Sequence, residues 1–433
     1  MRRSLAVLLA AVFVDQLDAG MMLPVLPALF TDPESPSYLL GAGDAETLGY
    51  LMVALVGAAY ALPAFLAQPV LGQLSDRFGR RPLLLIAFAG SGASFALFAW
   101  GAAAGSVGAL LASRAVDGAT GGNVLVAQAA LADVTEDAER TRYFGYFTAV
   151  LSLGFVVGPL LGGWLGDPET ASWAGASVPF WAAAGLNGVV VVVFAMLFRE
   201  TLDDADDAED DAEGAEESDA ESDAEEAFSL WRALANARAA FSDERRRGLY
   251  LVLLLYVAGY TLFSTFYNVR LAECVGASET MIGVYFAALG LGFFVVQTFV
   301  VDRVERRFGP KRSLWLALFA TSAAIAGSAW APSVWWALAF VPLFAAGNAL
   351  VEPLVSSAVS RSASGDEQGR VQGVRGSVDA VGRAAPPFLA GPLAAAGSPV
   401  WPVLAGAAVV GAAGVAAVKL IADGEADDGA GAG

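Results

Sequence analysis

Seven charged side chains sit inside long apolar stretches of this 433-residue chain: Asp15, Asp18, Arg114, Asp117, Glu352, Asp379 and Arg383. Placing one such charge in hydrocarbon costs about 2.5–3.5 kcal/mol, so each is a functional candidate by default. Asp15 and Asp18 are three residues apart and predict a shared helical face, as do Arg114 and Asp117. Asp379 and Arg383 are four apart. The two Arg–Asp combinations can neutralise themselves within one helical turn, which is the cheaper, structural explanation for them. Asp15, Asp18 and Glu352 (beside Pro353) have no opposite charge close in sequence. Their chemistry is that of proton or cation sites, or of polar residues lining a water-filled cavity.

The elements that carry these charges are apolar runs of about 20 residues, each long enough to cross about 30 Å of hydrocarbon as a helix. Twelve recur, near 4–30, 48–71, 82–104, 107–133, 141–166, 178–199, 247–270, 279–302, 311–330, 333–360, 368–396 and 399–421. The first follows Arg2-Arg3 but runs on through acids and prolines, too long for a signal peptide. Of 25 Lys and Arg, 22 fall at the termini or in loops after even-numbered spans. Arg114 and Arg383 lie within spans, and Arg270 alone sits at the opposite surface. Positive loops stay inside, so both termini are predicted cytoplasmic in a multi-pass plasma-membrane protein.

The net charge is −19, with 44 acids, yet 56% of the residues are hydrophobic. The acidity is segregated. Residues 203–226 hold fifteen acids and no base, and the tail holds Asp423, Glu425, Asp427 and Asp428. Without these nineteen, 25 acids balance 25 bases. Four units are therefore predicted: a six-helix bundle over 1–199, a cytoplasmic linker over 200–246, a second six-helix bundle over 247–421, and an acidic disordered tail over 422–433. Within the linker, Phe228, Trp231, Leu234 and Phe241 approximate the stripe of an interfacial helix. The halves repeat weakly: Gly145, Pro159 and Gly163 recur as Gly373, Pro387 and Gly391 at a constant offset of 228. Two bundles related by such a repeat, with a site at mid-depth between them, are a transporter arrangement.

Composition excludes much else. The chain has no His, one Cys (Cys274) and two Lys, neither in a Gly-Lys-Ser/Thr sequence. Ser-His-Asp and Cys-His nucleophile systems, His- or Cys-cluster metal sites and a Walker ATP site are therefore absent. No catalytic residue, metal or cofactor is predicted, and the surplus of acid excludes nucleic acid as a partner. The predicted partners are the lipid bilayer, a small-molecule substrate and protons or Na⁺, and the predicted working unit is a monomer.

Three motifs are specific. Residues 72–81 read Gly-Gln-Leu-Ser-Asp-Arg-Phe-Gly-Arg-Arg, between the second and third spans. Gly72 permits close helix approach, Asp76 is placed to meet a helix N-terminus or an Arg, and Gly79 allows a tight turn. Arg77, Arg80 and Arg81 would hold the loop at the cytoplasmic surface. The second half keeps Phe308-Gly309 and a basic run in the matching loop, with Asp302 and Arg306 about where the first loop has Gly and Asp. Span five carries Gly154, Gly158, Pro159, Gly162 and Gly163 at spacings that let backbones touch. Span one carries Asp15, Asp18, Gly20, Pro24 and Pro27, and span four Arg114-Ala-Val-Asp117-Gly118.

These residues resemble the major facilitator superfamily, and within it the twelve-span drug:proton antiporters, the tetracycline exporters nearest. The resemblance covers residues 10–202 and is thinner after 247. It implies an all-α membrane protein of twelve helices in two pseudo-symmetric six-helix bundles. It makes the 72–81 loop a conformational latch whose Asp engages the other half in one state, with a weaker latch in the second half. It makes the span-five glycines an antiporter motif and places Asp15 and Arg114 in the proton path. Asp18 and Asp117 depart from the pattern, standing where relatives carry Gly and a neutral residue.

The implied activity is proton-coupled export of amphipathic drugs or metabolites by alternating access. A desolvated carboxylate holds its proton to higher pH, so coupling does not need His. Tyr60, Phe263, Phe266, Tyr267 and Trp335 are candidate walls of an apolar pocket. The alternatives are a symporter or uniporter of a polar metabolite, and a non-transporting membrane sensor that signals through the acidic linker.

Overall fold

The computed structural model describes residues 2–41, 46–135, 137–201, 246–362 and 368–430. The polyacidic run, the interfacial stripe around Trp231 and Asp366-Glu367 lie outside the described residues. Fifteen helices follow one another, with no strand among the described residues. In the first half they are α1 (Arg2–Met21), α2 (Leu26–Phe30), α3 (Glu46–Phe78), α4 (Arg80–Ala104), α5 (Val107–Thr120), α6 (Asn123–Asp133), α7 (Asp137–Gly166) and α8 (Val178–Leu197). In the second they are α9 (Arg247–Val275), α10 (Glu279–Phe299), α11 (Val301–Ala329), α12 (Val334–Arg361), α13 (Gln368–Ala384), α14 (Pro386–Ala395) and α15 (Val400–Ala430).

Nine of these helices are individually long and apolar enough to cross a membrane. The other three expected spans differ for local reasons. Span four is α5 and α6, interrupted at Gly121-Gly122. Span eleven is α13 and α14, interrupted where Pro386 and Pro387 open a new helix, because proline has no N–H for the preceding turn. Span nine is the apolar end of α11, which begins with the charged loop sequence. Span one is shorter than its apolar run: α1 stops at Met21, and Pro24 and Pro27 turn the chain into α2. α15 continues as helix to Ala430, through most of the segment expected to be a disordered tail. A formed helix propagates at one hydrogen bond per added residue, whereas nucleation alone is costly.

Each half has an apolar core, and a further buried cluster, with Tyr50, Phe98 and Phe180 from the first half and Leu262, Phe266 and Ala390 from the second, is shared between them. Phe88, Phe147 and Phe194 are fully buried in the first half, and Tyr267, Tyr285 and Phe344 in the second. The halves meet along two seams, α7 against α10 and α3 against α14. At these seams glycines let backbones touch. A Cβ on Gly163 would fall on the Glu279 carbonyl of α10, and one on Gly391 would sit 2.7 Å from Ala54 of α3. Gly163 and Gly391 are partners in the sequence repeat, and each reaches the opposite half. The two charged loops repeat as well: Gly79 (φ 94°) and Gly309 (φ 73°) both take the left-handed conformation that favours glycine.

Candidate functional site

The two helix breaks deliver polar side chains to mid-depth. At the first, Asn123 opens α6 and its amide donates to Asp15 of α1. Gln16 also donates to Asp15, at 3.2 Å, and the Asn123 amide reaches Ser91 Oγ at 3.4 Å. Asp15 thus has amide donors and no ion pair among the described residues. At the second break, Arg383 lies in the last turn of α13. Its Nε donates to Asp379 Oδ2 at 2.8 Å and its Nη2 to Asp379 Oδ1 at 3.2 Å.

Asp15, Gln16, Ser91, Asn123 and Arg383 border one cavity of about 720 Å³ at the meeting of the two halves. Asp15, Arg114, Asp117 and Arg383 line it, with Gln68, Gln128 and Asn123 among its polar lining. Its apolar wall is Tyr60, Phe95, Phe155, Tyr260 and Phe286. Arg114 pairs with Asp117 one turn away. Its guanidinium also lies 5.4 Å from the Tyr60 ring, 5.7 Å from Phe95 and 6.0 Å from Phe98. Such contacts contribute about 0.5–2 kcal/mol each, more where water is excluded.

Three of the charges expected to act here lie elsewhere. Asp18 does not share the Asp15 face: it is 1% exposed, turned toward α8, and takes a hydrogen bond from Asn187. Three residues along a helix leave about 60° between side chains, enough to fall on opposite sides of a packing seam. Glu352 has a partner that sequence distance hid, Arg375 at 3.1 Å. Asp379 stands behind Arg383 and does not border the cavity. Of the proposed aromatic wall only Tyr60 is present. Phe263, Phe266 and Tyr267 are buried in packing and Trp335 is 77% exposed. Arg270, expected at the surface, is buried, and its Nε donates to the Ala329 carbonyl at 3.1 Å, capping the last turn of α11.

The 72–81 segment is helical up to Gly79, where a single residue reverses the chain. Arg80 is its hub: Nη1 reaches Ser75 Oγ at 2.8 Å and Asp76, and Nε donates to Asp133 Oδ2 at 2.9 Å. The Glu200 carboxylate accepts the backbone N–H of Arg80 at 2.7 Å and of Arg81 at 3.0 Å, capping α4. The Asp76 side chain is 67% exposed, and its described partner is in its own half. Gly309 in the second loop has open space where Gly79 meets Glu200. In α7, a Cβ on Gly158 would fall on the Leu17 carbonyl and one on Gly162 on that of Met21, while Gly154 would meet Gln16 at 2.7 Å. These three clamp α7 to α1, and Gly163 clamps it to α10.

Four hydrogen bonds join the halves among the described residues, all at the end opposite the arginine loop. Tyr50 donates to Glu273 at 2.6 Å, and Asn268 donates to the Leu23 carbonyl at 2.8 Å. The Thr280 N–H reaches Asp167 at 3.4 Å, and its hydroxyl reaches the Gly163 carbonyl at 3.5 Å. At the arginine-loop end α7 and α10 stand apart, with a gap of about 320 Å³ between Thr148 and Ser152 on one side and Phe294 and Gln297 on the other.

Known proteins share this architecture. Tetracycline resistance protein class C of Escherichia coli is 30% identical over 410 residues, covering 95% of this chain and 94% of that protein. Major facilitator superfamily domain-containing protein 10 of Bos taurus is 30% identical over 412 residues, covering 90% and 86%. The crystal structure of the human organic anion transporter MFSD10 (TETRAN) superposes with a TM-score of 0.65 at 23% identity, over 96% of this chain and 99% of that one. That of the nucleoside transporter NupG gives 0.71 at 12% identity, over 96% and 98%. At these identities the structural likenesses establish the fold. The family model described as Major Facilitator Superfamily matches residues 8–387 and 249–432, and the chain belongs to the Major Facilitator Superfamily of membrane transporters.

Proposed function

We propose that the protein is a proton-coupled exporter of amphipathic small molecules, working by alternating access in the plasma membrane with both termini cytoplasmic. The observation that carries this reading is Asp15: a carboxyl in the central cavity, held by Asn123 and Gln16, with no ion pair among the described residues. In this orientation the arginine-loop end is cytoplasmic and the cavity faces the cytoplasm, loading substrate. After the halves rock, a proton from outside takes Asp15 and the substrate leaves. One proton moving down 100 mV supplies about 2.3 kcal/mol, equivalent to about a fiftyfold substrate gradient. The relatives named for tetracycline resistance, and the span-five glycines that clamp α7 to α1, favour export. Tetracycline itself is not assigned, because the chain has no His and carries Asp18 and Asp117 against the family pattern.

The test is transport by purified protein in proteoliposomes. An imposed pH gradient is expected to drive accumulation of an amphipathic fluorescent substrate, and Asp15→Asn is expected to abolish the response to that gradient. Undiminished coupling in Asp15→Asn would remove Asp15 from the mechanism. Alkalinisation outside energised cells on adding substrate would establish symport instead.

A further inference from the structure

The two charged loops related by the repeat hold similar bases in different surroundings. In the first, acids of the same half take up the positive charge. Arg80 pairs with Asp76 and Asp133, and the Glu200 carboxylate fills the space beside Gly79. In the second, five bases stand against two acids between residues 301 and 312, and Arg306 is about where the first loop has Asp76. Open space surrounds Gly309. Arg303, Arg307, Lys311 and Arg312 are all exposed, and none of the four has an ion pair among the described residues.

The local fold gathers these bases. Val301 and Val304 pack into the second-half core, which leaves Arg303 and Arg307, four residues apart, on the outer face of the start of α11. Gly309 then turns the chain, and Ser313 Oγ donates to the Val304 carbonyl at 3.4 Å, tying the two arms of the turn together. Lys311 and Arg312 stand on the second arm. Two exposed rings, Phe299 and Phe308, flank the bases, and the Arg307 guanidinium lies 5.8 Å from the Phe308 ring. Uncompensated bases beside exposed rings suit a ligand with an anionic head and an apolar body. The polyacidic run of this chain is a poorer match: residues 203–226 are only Asp, Glu, Ala, Gly and Ser, and bring nothing apolar and large to the rings.

We infer that the second charged loop is a docking surface for an anionic phospholipid, its phosphate on Arg307, Lys311 and Arg312 and its acyl chains along Phe299 and Phe308. The two halves then anchor this end differently, the first loop on its own acids and the second on lipid. Neither the substrate nor proton coupling enters the argument.

Native mass spectrometry of the full chain, released from mixed micelles of phosphatidylglycerol and phosphatidylcholine, counts the lipid retained. Wild type is expected to prefer phosphatidylglycerol, less so as salt is raised. Each base at such a surface is worth about fivefold in binding an acidic lipid, so Arg307→Gln, Lys311→Gln and Arg312→Gln together should cut the preference about a hundredfold. Removing three exposed bases elsewhere, Arg142→Gln, Arg199→Gln and Arg247→Gln, changes net charge equally and is expected to leave the preference intact. Should the triple loop variant fail to fold, Lys311→Gln alone is expected to lose about fivefold. Equal retention of the two lipids by wild type, or equal losses in the two triple variants, overturns the inference. Displacement of phosphatidylglycerol by millimolar inorganic phosphate would mean that the loop reads a free phosphate and not a lipid. A preference that emerges only when residues 203–226 are deleted would mean that the chain's own acids occupy the loop. Either result overturns the lipid assignment.

Discussion

Asp15 and Asp18 lie about one helical turn apart on α1 and have different surroundings, because one faces the cavity and the other faces α8. Asp18 Oδ1 and Asn187 Oδ1 are both buried acceptors with no donor, while Asn187 Nδ2 serves Asp18 and the Ala183 carbonyl. An amide at position 18 can both donate and accept toward Asn187, so Asp18→Asn is expected to leave melting temperature and transport unchanged. Asn187→Leu removes the only described partner of Asp18 and is expected to cost about 1–3 kcal/mol, lowering the melting temperature in detergent. If Asp18→Asn abolishes proton coupling as Asp15→Asn does, Asp18 belongs to the proton path and not to packing. Residue types were a good guide to this site and residue faces a poor one. Asp15, Arg114, Asp117 and Arg383 are legible as cavity residues because a charge amid apolar sequence is expensive. The amide partners of Asp15 and Asp18, Asn123 and Asn187, carry the same signal in weaker form. The Glu352–Arg375 pair spans two helices, so no reading along the chain could have joined them.

At the scale of elements, α7 owes its place to small residues on two of its sides. Gly154, Gly158 and Gly162 admit the backbone of α1, and Gly163 admits that of α10. The spacing made close packing legible, but not which partner each glycine meets, since that depends on the rotation of α7 between two neighbours. Gly158→Ala is expected to destabilise by about 1–3 kcal/mol, because both backbones must separate to admit a methyl group. Gly145→Ala, with open space around its Cα, is expected to be silent. Melting temperatures of the purified variants distinguish the two, and equal temperatures would show that the α1–α7 seam yields without cost. The breaks in spans four and eleven were written as Gly121-Gly122 and Pro386-Pro387. They read as continuous apolar spans because hydropathy averages over a window and does not register a local loss of helix hydrogen bonds.

For the whole molecule, the clustering of arginines argued for an even number of spans, and the offset of 228 made the two halves legible. What the sequence could not contain is the conformational state, which depends on which seams are closed. Here the closed end is held by Tyr50–Glu273, Asn268–Leu23 and the Thr280 contacts, while α7 and α10 part at the other. Tyr50 is 6% exposed and its ring packs on Phe266, so Tyr50→Phe removes the hydroxyl and keeps the packing. A net hydrogen bond is worth about 1 kcal/mol, so the balance between the two access states should shift about fivefold toward opening at this end. The measurement is labelling of Leu26→Cys, which lines the cavity beneath these bonds, in a Cys274→Ser background with a membrane-impermeant maleimide added outside cells. Labelling is expected to be about fivefold faster with Tyr50→Phe than without it. An unchanged rate would mean that the glycine seam between Gly163 and Glu279 alone sets the closed state, and that the hydrogen bonds follow closure without stabilising it.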